Sequence, residues 1–145
     1  MIGQLPPYAL ATPVFRFRAL ASHAGRATLG GDREIALACF AVARLAAGLL
    51  PPVMLAPGDA VTRANATRHW LASLTMPASP RAAAAATIDA IARGNRRGAA
   101  ESLRVLRDVA GPQLDSPSLA ELEDLADELH GGSGEMKAAG VTGSP

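Results

Sequence analysis

Short apolar segments at helical spacing, cut apart by proline and glycine, limit what this 145-residue chain can fold into. Apolar residues recur three and four positions apart through most of the sequence, the period of an amphipathic helix rather than the alternation of a strand. The 11 prolines and 14 glycines fall mostly between these stretches or at their mouths. Each interruption limits a helix to a few turns. Helices this short are marginal alone and become stable by packing their apolar faces together.

The segments can be placed from their punctuation. Asp32 reads as an N-cap, with Glu34 in the first turn, for a helix running to about Leu50 and stopped by Pro51-Pro52. Ile35, Ala38, Cys39, Val42, Leu45, Ala46 and Leu49 share one face of it, while Leu37, Phe40 and Ala41 make the opposite face apolar too. A helix that is apolar nearly all round belongs in the centre of a fold. The next helix opens at Asp59 after Pro57-Gly58 and ends near Thr75, with Ala60, Ala64, Thr67, Leu71 and Leu74 as its core stripe. Ser79-Pro80 then reads as a cap with proline at the first helical position, and Gly94-Asn95 ends that helix. A fourth runs from about Arg97 to Val109, where Glu101, Arg104 and Asp108 are spaced for pairs along its own surface. After Gly111-Pro112, Ser116-Pro117 repeats the cap-plus-proline device for a fifth helix reaching His130, and Gly131 follows as the C′ residue.

Both ends differ from this pattern. Residues 1–30 carry Pro6, Pro7 and Pro13, and Val14-Phe15-Arg16-Phe17-Arg18 alternates like a half-buried strand. An extended segment is therefore expected there, laying Phe15 and Phe17 across the helices or pairing with another chain. From Gly132 the composition turns to Gly, Ser, Thr and Ala, and a disordered tail is expected over 132–145. The helical domain is bounded at 31–131. The expected fold class is all-α, a bundle or short solenoid-like array of about five helices. The solenoid option rests on the 37 positions between Pro80 and Pro117 (117 − 80), close to the repeat of paired-helix arrays.

Composition limits the core. Nearly half the residues are hydrophobic, which opposes wholesale disorder, but they are mostly Ala, Leu and Val with three Phe, one Tyr and one Trp. Alanine buries little area, so the helices are expected to approach closely and the stability to be modest. Thirteen arginines stand against one lysine. Together with the excess of Ala, Gly and Pro, this reads as a compositional bias of the coding sequence more than a phosphate-binder's preference.

Charge is divided along the chain. Up to Ala110 there are thirteen Arg and six acidic residues; from Gly111 onward there are seven acidic residues and the single Lys137. The net charge of +1 conceals two segments that attract each other or recruit different partners.

Most chemical signatures fail for a physical reason. Gly25 and Gly30 have the spacing of a phosphate loop, but Gly31-Asp32 follows where Lys and a hydroxyl residue are needed, placing a carboxylate against the phosphate. A glycine turn ahead of a capped helix explains them better. His23, His69 and His130 are far apart in sequence and Cys39 is alone, so no metal set and no intramolecular disulfide is expected. His69 and Ser73 sit one helical turn apart without an orienting carboxylate or an oxyanion hole. Cys39 falls on an apolar face, the place of an inert thiol. Ile35 to Ala56 is the one apolar run approaching membrane length, and Arg44 and Pro51-Pro52 interrupt it. The N-terminus lacks the charged and apolar regions of a signal peptide. A cytoplasmic protein with no enzymatic activity and no cofactor is expected.

Two surfaces remain as candidates. The fifth helix carries Leu122, Leu125 and Leu129 on one side, with Glu121, Glu123, Asp124, Asp127 and Glu128 filling the rest. It can fold back on the basic helices, opposite Arg97, Arg104 and Arg107. It can instead present its leucines to a groove on another protein or a second copy, and Leu125→Asp then abolishes binding without unfolding the other helices. The alternative is a nucleic-acid accessory surface: Arg63 and Arg68 share a helix, and Arg93, Arg96 and Arg97 cluster at a turn, able to neutralise phosphates. A pI near 8.0 and the lack of a recognition-helix pattern weigh against it.

Overall fold

The computed structural model describes residues 17–27, 31–50 and 59–131, and these form an all-α bundle of six helices with no strand among them. They are α1 (Arg18–Arg26), α2 (Gly31–Ala47), α3 (Asp59–Ala72), α4 (Ala78–Ala92), α5 (Arg96–Ala110) and α6 (Ser116–Gly131). A single 3-10 turn, Gly111–Gln113, joins α5 to α6.

Helix α2 is the hub. Twelve of its 17 residues are buried, and it touches every other helix. Alanines at positions 36, 38, 41, 43, 46 and 47 are buried along it. Small side chains on all sides let neighbouring backbones come close, and this compensates for the little area each one buries. The larger contributions come from Phe17, Phe40, Ile88, Ile91, Leu103, Leu106, Leu122, Leu125 and Leu129, all fully enclosed. Each such side chain contributes about 1.5–3 kcal/mol of transfer free energy.

The registers follow from side-chain bonds. The Glu34 carboxylate accepts from the Thr75 amide, placing the start of α2 beside the exit of α3. Arg81, in the first turn of α4, donates to the Leu71 carbonyl at 3.0 Å and to that of Leu74, satisfying carbonyls that the end of α3 leaves open. Arg68 on α3 pairs with Asp89 on α4, so these two helices run antiparallel. Gly94, at φ +70°, closes α4 in the left-handed conformation that glycine adopts without steric cost. The following Asn95 caps α5 by accepting from the Gly98 amide at 2.9 Å. Arg107 to Glu123 and Arg104 to Asp127 then set α5 and α6 antiparallel.

The sequence pattern is corrected at the first helix. Residues 18–26 are helical rather than extended, because Glu121 of α6 binds the amides of Ala19 and Leu20 and provides the cap that the local sequence lacks. Phe17 is buried as expected and Arg18 opens α1, whereas Val14, Phe15, Arg16 and the 132–145 tail lie outside the described residues. Gly25 belongs to the last turns of α1, not to a loop before α2. Two caps also shift. Helix α4 starts at Ala78, ahead of Ser79, with Pro80 buried inside its first turn. Asp115, not Ser116, caps α6 by accepting from the Ser118 amide at 2.9 Å.

Candidate functional site

The leucine stripe of α6 faces inward. Leu122 and Leu125 are 0 % exposed and Leu129 1 %, packed in the same core as α2 and α5. This corrects the reading of Leu122, Leu125 and Leu129 as a docking edge. The fold already spends that apolar face on its own helices, and no groove on another protein can reach it. The acidic face behaves likewise. Asp127 takes Arg104 at 2.6 Å, Glu123 takes Arg107 at 2.9 Å, and Glu121 takes the amides of α1. Arg104 thus turns to the neighbouring helix rather than to Glu101 or Asp108 on its own, and Arg107 holds Asp108 at 2.6 Å. Pairing across the seam joins two helices, which pairing along one helix cannot do. The charge division of the sequence is to this extent internal.

Asp115 is a second meeting point of α1 and α6. Its carboxylate takes Arg26 at 2.8 Å and lies 3.3 Å from His23 Nδ1, while His23 Nε2 lies 2.7 Å from the Gln113 carbonyl oxygen. Ser118, whose amide donates to it, and then His23 hold the Asp115 carboxyl below the ordinary aspartate value, against the opposing pull of burial. The geometry is that of a helix cap reinforced by Arg26 and His23.

The five arginines considered for phosphate contacts divide by environment. Arg68 is engaged by Asp89 at 2.5 Å and by the Asn65 side chain at 2.6 Å. Arg96 donates to the Glu128 carbonyl at 3.1 Å. Arg93 and Arg97 are exposed on either side of the Gly94-Asn95 turn, and among the described residues no carboxylate pairs with them. Arg63 is half-buried on α3.

The registers bring these residues to one end of the bundle. The last turn of α2, the first of α3, the last of α4, the first of α5 and the last of α6 all lie there. They carry Arg44, Arg63, Arg93, Arg96 and Arg97, while Asp89, one turn inward, is held by Arg68. Sequence spacing groups Arg93, Arg96 and Arg97 but not Arg44, which in the sequence only interrupts an apolar run. Arg44 is 8 % exposed, and burial, followed by the nearby Arg63 charge, pushes its guanidinium below the ordinary arginine value.

Other candidates are not assembled. His69 is exposed, and Ser73 Oγ donates to the Trp70 carbonyl at 2.6 Å rather than to His69. Among the described residues no group of His, Cys, Asp and Glu could hold a metal, and no helix is long and apolar enough to cross a membrane. Among the described residues, Val61 and Val105, each 51 % exposed, are the large apolar side chains left outside; single exposed valines are ordinary on a folded surface.

No protein-family model matches this chain, and no curated protein or solved structure matches it either.

Proposed function

We propose that this chain is a non-enzymatic helical interaction module that docks an acidic segment of a partner protein against the arginine-rich end of its bundle. The observation that supports it most is the pair Arg93 and Arg97, exposed on both sides of a rigid Gly-Asn turn and unpaired among the described residues. Arg26, Arg68, Arg104 and Arg107, by contrast, are paired with the chain's own carboxylates. Two cations held on short, capped helix ends are preorganised for carboxylates, and association steered by them is fast and sensitive to salt.

A labelled acidic peptide of mixed Glu and Leu, titrated by fluorescence anisotropy, tests the reading. Binding is expected to weaken at least about tenfold in the Arg93→Gln, Arg97→Gln double variant, as two charge-assisted contacts are lost. Equal affinity of the double variant and the parent chain would reject it. A second copy is also a possible acidic partner through the outer face of α6, and a mass that rises with concentration and falls with salt identifies that case.

The second reading is a nucleic-acid accessory surface at the same end, favoured by the proximity of Arg63, Arg96 and Arg97 in the end turns. It requires phosphate contacts, so log affinity for an oligonucleotide must fall linearly with log salt. The near-balanced total charge of +1 makes the protein partner the leading reading.

A further inference from the structure

Arg97 and Glu101 stand one turn apart on the exposed side of α5, and neither has a partner among the described residues. Their spacing and opposite charges suit a bond along the helix, yet none forms. The same stripe continues through Val105 to Asp108, both exposed. Asp108 accepts its two bonds from Arg107 on Oδ1, at 2.6 and 3.2 Å, which leaves Oδ2 open. The short Gly94-Asn95 turn folds α4 back along α5. The exposed side of α4 carries Ala82, Ala86 and, at the turn, Arg93. Counted outward from the turn, Val105 falls level with the span between the two alanines. An exposed valine alone is ordinary, but this one belongs to an apolar middle with cations at the turn end and carboxylates further along.

We propose that this α4–α5 face docks a second copy of the chain across a two-fold axis that passes α5 between Ser102 and Leu103. Arg97 and Asp108 lie equally far from that point in sequence, as do Glu101 and Arg104. A half-turn therefore sets Arg97 against Asp108 of the second copy, and Asp108 against its Arg97. Glu101 comes beside Arg104 of the second copy by the same rotation. The apolar middles meet at the centre and the charges at the rim, the usual anatomy of an interface between proteins. Complementarity of a face with itself is the condition for a closed pair. A partner offering carboxylates alone would set like charge against Glu101 and Asp108, which favours a second copy. Resting on the docking reading above, this makes the acidic partner of Arg97 the α5 face of a second copy. The outer face of α6 is less suited, because Asp127 and Glu123 are already held by Arg104 and Arg107. Its contact with the arginine end would also be head-to-tail and would not close at two copies.

Sedimentation equilibrium of the full chain across concentration and salt tests the pairing. One association step is expected, stopping at the dimer and weakening as salt is added. Arg97→Asp and Asp108→Arg each place like charges together at both symmetric contacts and are expected to weaken the dimer at least about tenfold. The chain carrying both substitutions restores opposite charges and is expected to recover it. Both side chains are exposed, so circular dichroism is expected to be unchanged. If Asp108→Arg disturbs the fold through Arg107, Val105→Glu on the same face decides by dissolving the dimer or sparing it. A chain that stays monomeric at every concentration overturns the proposal, as does a doubly substituted chain that does not re-associate. Growth beyond the dimer overturns it too, as does dissociation by Asp124→Arg on the outer face of α6 but not by Asp108→Arg. A monomeric chain that still binds the acidic peptide through Arg93 and Arg97 rejects this pairing and leaves the docking reading standing. A dimer rescued by the double substitution, in a chain that ignores the peptide, supports the two-fold face and rejects docking of a foreign acidic segment.

Discussion

Glu121 on α6 accepts the amide hydrogen of Leu20 on α1 at 3.0 Å, and its other oxygen accepts that of Ala19 at 2.9 Å. Phe17, the N-cap residue of α1, has no side chain able to cap, so the two orphan amides are satisfied from the far end of the sequence. Glu121→Ala strands both donors in a partly buried site, and a loss of about 1–3 kcal/mol is expected from urea unfolding. Glu121→Gln keeps an acceptor and is expected to lose less. Hydrogen exchange is expected to locate the damage in α1, whose amides exchange faster while those of α4 and α5 stay protected. An unchanged urea midpoint for Glu121→Ala would mean that α1 is held by Phe17 and Leu20 alone.

The same bond explains which parts of the fold were legible. Helices α2 to α6 advertise themselves through apolar periodicity and Pro or Gly stops, which are local signals. Helix α1 does not: its nine residues hold Arg18, His23, Gly25 and Arg26, and its cap comes from Glu121, so nothing nearby marks it as a helix. The stripe Leu122, Leu125 and Leu129 was visible, but a stripe is the same whether it faces its own core or another protein. Only the placement of α2 and α5 against it settles that. Arg44 is hard to place from sequence for a related reason. An arginine within an apolar run reads as an obstacle to burial, whereas packing against Phe40 and α3 encloses it all the same.

Cys39 lies in the middle of α2 with no exposed surface, and burial pushes its thiol up to about 12. Thiolate is the reactive form, so the native protein is expected to resist a disulfide reagent such as DTNB at pH 8. One equivalent of thiol is expected to appear only on unfolding, with a rate that follows the opening of the fold. Rapid modification in the native state would show that α2 is not the closed hub described above.

Asn95 and Gly98 are coupled through the cap of α5. Asn95 Oδ1 accepts from the Gly98 amide at 2.9 Å, and a Cβ on residue 98 would lie 2.5 Å from Asn95 Nδ2. Gly98→Ala therefore gains about 1 kcal/mol of helix propensity and loses a cap of about equal size, leaving stability nearly unchanged. With Asn95→Ala already in place there is no cap to displace, and the same substitution is expected to stabilise by about 1 kcal/mol. A double-mutant cycle measures the difference; strictly additive effects would contradict the steric link.

Acid is expected to loosen the α1–α6 contact through Asp115. Its carboxyl is held below the ordinary value, principally by Ser118, so the unfolded chain binds the proton more readily than the folded one. The stability it contributes is fully present above the unfolded value of about 3.9 and is lost as pH falls through the lower folded value. Asp115→Asn is expected to reduce stability at neutral pH and to flatten the fall below about pH 4. Melting curves of the two proteins between neutral pH and strong acid make the comparison. Parallel pH profiles would mean that other carboxylates carry the acid sensitivity.

Leu125 separates an internal from an external role for α6. If α6 were an appended docking helix, Leu125→Asp would remove binding and spare the rest. The side chain is instead fully enclosed beside Leu106 and Leu122 in the core, where a carboxylate finds neither water nor a cation. Loss of the leucine contacts costs about 2–5 kcal/mol, as for Leu→Ala, and the buried carboxylate adds to that. For a domain whose total stability is of order 5–15 kcal/mol, unfolding of the whole bundle is the expected outcome. Ending the chain at Val109 is expected to do the same, because it removes this stripe together with Glu121 and leaves the buried face of α5 exposed. Circular dichroism and light scattering on the two variants provide the readout. A truncated chain that stays helical and monomeric would return α6 to the role of an independent interaction element and would place its leucines back at an interface.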